Sequence, residues 1–360
     1  AVMAPEPEPV EYVRVCDAYG AGFFYIPGTE TCLKISGYVW YQVGASSYDA
    51  GDTPSMLLQA RGDGWYKSVR ARLNVDARSE TEWGTLRSYI RLQADWNGVG
   101  DGPVAIDQAY IELAGFKMGY SESFWADSGN GGPSNYGSHT WSGMAYGYQQ
   151  RALIGYRFES NGFFGAISLE DDNNSTIVGY TNPNYVPDVV AKIGFGGGWG
   201  AVWAKVGYDS DRTNLATLAA AAPVDQDGWG AQLGAQFNMP NMPGSNLRLI
   251  GYYSNSDNVY GATMNHLNVL GGFGASEFSI LASYNQQFSE TFGASVAFQW
   301  FNDFYIPGTN VHSGVDGWSA ELGTVWFPVK DFEVRTELHY DKVETVSGTV
   351  SGFLRFTRYF

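Results

Sequence analysis

The sequence predicts an all-β chain, a 16-stranded antiparallel transmembrane β-barrel. Three observations predict it. Apolar and polar residues alternate with period two from Cys32 onward, with few breaks. The connections between alternating segments are short and long in turn. The last stretch, "TVSGFLRFTRYF", keeps its alternation through Phe360. Leu354, Phe356 and Phe360 share one strand face, and Arg355, Thr357 and Tyr359 share the other.

Composition agrees. The chain has 360 residues and a formal net charge of −16; 16% are charged, 16% aromatic, and 46 are glycine. An ordinary globular protein carries about 25% charged residues. The acidic balance speaks against nucleic acid, which needs a basic footprint. No apolar run reaches the roughly 18 residues of a membrane-spanning helix. A spanning β-strand needs only about 9–11 residues, with every second one apolar. The opening "AVMAPEPEPVEY" has neither the basic start nor the apolar run of a secretory signal, so a mature exported form is expected.

Along the chain, residues 1–31 read as an arm kept extended by its Pro- and Glu-rich start. Alternation then begins. "CLKISGYVWYQVG" sets Leu33, Ile35, Val39 and Tyr41 against Lys34, Ser36, Tyr38 and Gln42. "SVRARLNVDAR" sets Val69, Ala71, Leu73 and Val75 against Arg70, Arg72, Asn74 and Asp76. "TLRSYIRLQADW" sets Leu86, Ile90, Leu92 and Ala94 against Arg87, Tyr89, Arg91 and Asp95. Similar segments follow near 105–114, 116–121, 149–159, 162–170, 188–196, 199–209, 227–237, 245–255, 277–288, 291–304, 317–329, 332–343 and 349–360, sixteen in all.

Alternate connections are short: "SETE", "AG", "SN", "GG", "SE" and "KD", with "NMPNMPGS" somewhat longer. Those between them are mostly long, as at 45–64, 122–148, 171–187, 210–226 and 256–276. Short turns at one end and long loops at the other mark an outer-membrane barrel. An even strand count brings both chain ends to the short-turn side, the periplasmic one, and lets the last strand pair with the first, leaving no open edge. Rings near strand ends, among them Trp65, Trp83, Trp199 and Trp229, read as interfacial girdles.

Cys16 and Cys32 are the chain's two cysteines. They are either buried thiols or one disulfide, and the β-rich, aromatic composition favours the disulfide and an oxidising compartment. No catalytic motif is present, and His139, His266, His312 and His339 lie on separate segments without metal-ligand spacing. No metal or other cofactor is expected. The informative charges are basic. Arg70 and Arg72 share one face of the second segment, Arg87 and Arg91 one face of the third, and Lys34 on the first joins them, all in the polar phase. They are either salt-bridged to Asp76, Asp95 and their neighbours or left as a basic wall.

"VEYVRVCDAYGAGFFYIPGTETCLKISGYV" (residues 10–39) resembles the opening of the alphaproteobacterial general porins of Rhizobiales-type bacteria. "YVPDVVAKI", "GGWG" and the terminal "GFLRFTRYF" are similar as well, although Arg358 stands where many outer-membrane proteins have an aromatic residue. The resemblance implies a homotrimer among outer-membrane lipid and lipopolysaccharide. Each barrel would hold a water-filled pore narrowed by an inward-folded third loop. By position that loop is 122–148, which carries Glu122, Phe124, Trp125, Asp127, Tyr136, His139 and Trp141. Its rings either pack the loop against the wall or offer a path on which sugars stack. Lys34 and the four arginines would face the loop as a basic wall of the constriction. The resemblance also raises a covalent link from Ala1 to peptidoglycan. Passive diffusion of small hydrophilic solutes is the expected function. A sugar-preferring channel, a barrel hydrolase and a soluble secreted β-protein are the alternatives.

Overall fold

The computed structural model describes residues 14–48, 64–98, 100, 102–126, 137–171, 186–210, 227–264, 273–345 and 347–360. Within them a two-residue strand, β1 (Phe24–Tyr25), precedes sixteen longer ones. These are β2 (Cys32–Tyr48), β3 (Gly64–Thr81), β4 (Gly84–Trp96), β5 (Ala105–Leu113), β6 (Phe116–Glu122), β7 (Gln150–Ser160), β8 (Phe163–Asp171) and β9 (Asp188–Gly197). They continue as β10 (Gly200–Asp209), β11 (Gly228–Asn238), β12 (Asn246–Ser254), β13 (Ser276–Gln287), β14 (Phe292–Phe304), β15 (Gly317–Val329), β16 (Phe332–Val343) and β17 (Thr349–Tyr359).

Each of β2 to β17 pairs antiparallel with its sequence neighbours, and β17 closes onto β2 with Arg355 opposite Gln42 and Tyr359 opposite Tyr38. The sheet is a closed 16-stranded antiparallel barrel, as the alternation predicts. Closure satisfies every strand's backbone without an edge, which a membrane demands. The short connections use turn chemistry suited to hairpins. Between β7 and β8, Asn161 and Gly162 both take positive φ (52° and 84°). That is the type I′ pattern, whose twist matches the strands.

The two faces differ as the period-2 pattern requires. Ile35, Ile193 and Leu233 are exposed, whereas Lys192, Gln232 and Gln299 on the opposite phase are buried. Apolar side chains outward and polar ones inward suit a hydrocarbon exterior. Trp65, Trp83, Trp199 and Trp229 are exposed near strand ends, as expected of girdle residues.

The interior is not an ordinary core. Phe124 and Trp125, from the β6–β7 connection, join Trp203, Ile250, Tyr252, Tyr260 and Leu281 in one buried cluster inside the barrel. Residues 14–31, the described part of the N-terminal stretch, are folded. A 3-10 turn (Asp17–Tyr19) and β1 form a small cap. The Cys16–Cys32 disulfide closes it, and Phe23 is buried against the two cysteines. The hydroxyl of Tyr19 donates to Glu80 Oε1 at 2.6 Å, and Lys34 Nζ donates to the carbonyl of Ala21 at 3.1 Å. The crosslink ties this stretch to the start of β2, and the Tyr19–Glu80 bond holds it beside the β3–β4 turn.

Candidate functional site

The basic residues singled out in the sequence lie together on β3 and β4, but they are paired within their own wall. Arg70 grips Asp95 with Nε at 2.6 Å and Nη2 at 3.2 Å. Arg87 donates to Asp76 at 3.0 and 2.9 Å and to Glu112 at 2.8 Å. Arg78 makes a second fork onto Asp76 at 3.0 and 2.8 Å. Arg91 donates to Asp107, which also lies 3.5 Å from Arg72; Arg72 itself donates to Gln93. Lys34 stands apart, turned to the cap as described.

The Asp107 pairing depends on an irregularity. Between β4 and β5 the register shifts, so that Arg91 pairs with Gln108 and Leu92 with Ile106. Asp107 is the extra residue. A bulge re-aims one side chain, and this one brings a carboxylate to the arginines. Like charges on neighbouring strands repel. Interleaved carboxylates offset that repulsion, and charge-assisted forks fix the side chains.

Facing residues come from the β6–β7 connection. Its first part packs on the wall. The backbone N–H of Phe124 donates to Glu170 at 3.0 Å, Lys205 Nζ donates to the carbonyl of Trp125 at 2.5 Å, and Trp125 meets Tyr260 edge-on at 5.2 Å. Phe124 and Trp125 are buried completely or nearly so, which leaves neither a face for a solute. Glu122, the last residue of β6, accepts from the hydroxyl of Tyr146 in the connection. Asp127 and Tyr136 lie outside the described residues, as does Ala1.

The second part reaches inward-phase side chains of β12, β13, β15 and β16. Arg248 donates to the carbonyl of Gly137 at 3.1 Å. His139 sits between Ser283 Oγ and Asn246 Oδ1, each 2.6 Å from a ring nitrogen. Burial, reinforced by Arg248, pushes its imidazole down to about 4. Glu321 accepts from Thr140 Oγ1 at 2.8 Å and from the N–H of Met144 at 3.1 Å. Glu337 accepts from the N–H groups of Trp141 and Ser142 and from Ser142 Oγ at 2.7 Å. His339 stands between these carboxylates, 3.4 Å from Glu321 and 3.5 Å from Glu337.

Trp141 remains 45% exposed, open to solvent where Phe124 and Trp125 are not. Arg355 stacks on it at 3.7 Å, and Arg70 lies 5.8 Å from its centroid. Arg355 also donates through Nε to Gln42 at 2.8 Å. Among the described residues no carboxylate lies within ion-pairing distance of it. Sequence reasoning did not place Arg355, Glu321, Glu337 or His339 at the site. Their polar-phase positions were readable, but their contact with the loop was not.

A family model described as a porin subfamily matches residues 1–352. The chain belongs to this porin family. Porin Omp2a of Brucella ovis is 39% identical over 244 residues, which are 58% of this chain and 64% of that one. Porin Omp2b of Brucella suis is 39% identical over 240 residues, 58% of this chain and 60% of that one. This porin thus spans less than two thirds of the length of those relatives. Among solved structures, the outer membrane channel DcaP of Acinetobacter baumannii superposes with a TM-score of 0.66 at 14% identity, covering 93% of this chain and 99% of that one. The anion-selective porin from Comamonas acidovorans does so with 0.59 at 11%, covering 92% and 100%. At such identities the likeness concerns the fold alone. Family and fold together make this porin an outer-membrane β-barrel.

Proposed function

We propose that the protein is a channel for passive diffusion of small hydrophilic solutes and ions across the outer membrane, with no catalytic role. One observation carries the reading. Residues 137–148 are bound to inward-facing side chains of the far wall, while Trp141 stays open beside Arg355 and Arg70. A closed barrel with a polar lining narrowed in this way sorts solutes by size and by the charges at the narrowing. The segment 122–148 is then the constriction loop, and the paired arginines of β3 and β4 form one wall of the eyelet.

The selectivity we propose is weakly cationic. A net charge of −16 raises cation concentration at the mouth, and the arginines of β3 and β4 are already offset by neighbouring acids. The solved Comamonas relative is described as anion-selective, so this choice separates the two. A homotrimer accords with OmpT of Vibrio cholerae, solved in a trimer form. The short turns and the disulfide-closed cap would then face the periplasm. Planar-bilayer recording tests the reading. Stepwise conductance with weak cation preference that salt screens away supports it. Absence of conductance refutes the channel, and clear anion preference refutes the selectivity.

A further inference from the structure

At the long-connection end of β13 and β14, away from the loop contacts, Glu277, Asp303 and His312 each place a ligand atom within 4.8 Å of the others. His312 Nδ1 lies 3.0 Å from Asp303 Oδ2. The other oxygen of Asp303 accepts the N–H of Gly314 at 2.8 Å, and the N–H of Asp303 donates to Asp316 at 2.8 Å. The carboxylate is therefore fixed with one oxygen turned to the imidazole. His312 is fixed as well. It bridges to Tyr305 across a tight turn, and its ring packs on the buried Tyr305 ring at 4.8 Å.

Glu277 is the third member. Ser276 pairs with Phe304 and Phe278 with Asn302, which sets Glu277 beside Asp303 on neighbouring strands. Adjacent like charges in a sheet are destabilising. Among the described residues, no lysine or arginine lies within ion-pairing distance of either carboxylate, and Glu277 receives no hydrogen bond. Elsewhere on this barrel, carboxylates side by side with arginines are answered by forks; here the answering group is an imidazole.

We propose that Glu277, Asp303 and His312 bind a divalent transition-metal cation of the zinc class at the rim of the barrel. Bonds of about 2.0–2.2 Å at tetrahedral angles place neighbouring ligand atoms about 3.4 Å apart. The Nδ1–Oδ2 separation is 3.0 Å, so a side-chain shift of about 0.4 Å lets the metal replace the imidazole–carboxylate contact. Glu277 completes the set by rotation of a side chain that leaves no partner behind. The imidazole sets the selectivity. Calcium and magnesium take oxygen ligands, whereas imidazole nitrogen favours zinc, nickel and copper. His312 is about half exposed, which gives the ion an entry path and leaves room for water as further ligands.

The test is equilibrium dialysis of the purified, detergent-solubilised protein, stripped with chelator and titrated with zinc chloride. One zinc per chain is expected, retained against an excess of calcium. His312→Ala and Glu277→Gln should each weaken binding at least roughly tenfold. Glu277→Gln breaks no hydrogen bond of the fold, so it reports on ligation even if the histidine variant folds poorly. Heat-modifiable electrophoretic migration shows that each barrel is intact. Absence of saturable zinc, displacement by calcium at equal concentration, or unchanged zinc affinity in either folded variant would overturn the site.

Discussion

Arg355 stacks its guanidinium 3.7 Å from the ring centroid of Trp141 while it donates to Gln42 across the closing seam of the barrel. Loop, last strand and first barrel strand meet on one cation whose hydrogen-bond partner is neutral. A unit charge acts on an ion about 8 Å away in water with about 0.5 kcal/mol. Arg355→Gln should therefore raise cation permeation about twofold, read as a shift in reversal potential under a salt gradient. The double variant Arg70→Gln with Asp95→Asn removes a neutral pair and should leave that potential near the wild-type value.

The loop is held by two buried carboxylates, and Glu337 takes the N–H groups of both Trp141 and Ser142. Glu337→Ala leaves those donors without that acceptor. Loss of each bond costs about 0.5–1.5 kcal/mol, since Trp141 is exposed and water takes the place of the carboxylate. The variant should show a lower thermal transition and noisier single-channel current. A quiet channel of unchanged conductance would mean that the loop does not need this anchor.

His139 supplies a pH dependence. Its folded value of about 4 lies below the ordinary 6.5, so between these values the unfolded chain binds a proton that the seated loop does not. Stability rises with pH wherever the unfolded state holds more protons. The contribution is thus complete above about 6.5 and is lost as pH falls toward 4. Thermal melting across that window should flatten in His139→Gln relative to wild type.

At the seam, Gly37 donates to the carbonyl of Phe360 at 3.0 Å and accepts from its N–H at 3.1 Å. A Cβ on Gly37 would stand 2.1 Å from the carbonyl oxygen of Arg72 and 3.0 Å from the Phe360 ring. Overpacking of this kind costs about 1–3 kcal/mol. Gly37→Val should reduce the folded, heat-modifiable fraction on refolding, whereas alanine at the open Gly251 should not.

The cap depends on the bond between Cys16 and Cys32, 16 residues apart. A crosslink over such a loop stabilises by about 3 kcal/mol on chain-entropy grounds. Cys16→Ser should loosen the cap first, seen as faster proteolysis ahead of Cys32 while the barrel persists. The intact protein should take up no alkylating reagent without prior reduction.

The barrel was legible because its surroundings impose the pattern. Lipid on one side and a polar interior on the other write period two into every strand, from Leu33 and Lys34 to Leu354 and Arg355. The site was legible only by phase. Arg70, Arg72, Arg87 and Arg91 were placed on the inner wall by alternation, but Asp107 reaches them through a bulge, and a bulge is a register event that no alternation records. The ring of Trp125 gives no sign in the sequence that Tyr260, from a different loop, packs on it. Glu321 and Glu337 look like any inward carboxylates until the loop amides arrive.

Every neighbouring pair from β2 to β17 is adjacent in sequence except one. The seam joins Gln42 to Arg355, residues 313 positions apart, and its hydrogen bonds can form only when nearly the whole chain has been made. Contacts of such long range bear the largest loop-closure entropy and come slowly. Until they form, the growing sheet carries two open edges, each a template for the wrong strand. The cap places its disulfide at the first strand, so that edge is fixed early and waits. Sealing the cylinder is then the last and most exposed event of its assembly, and Arg355 serves that event at the seam.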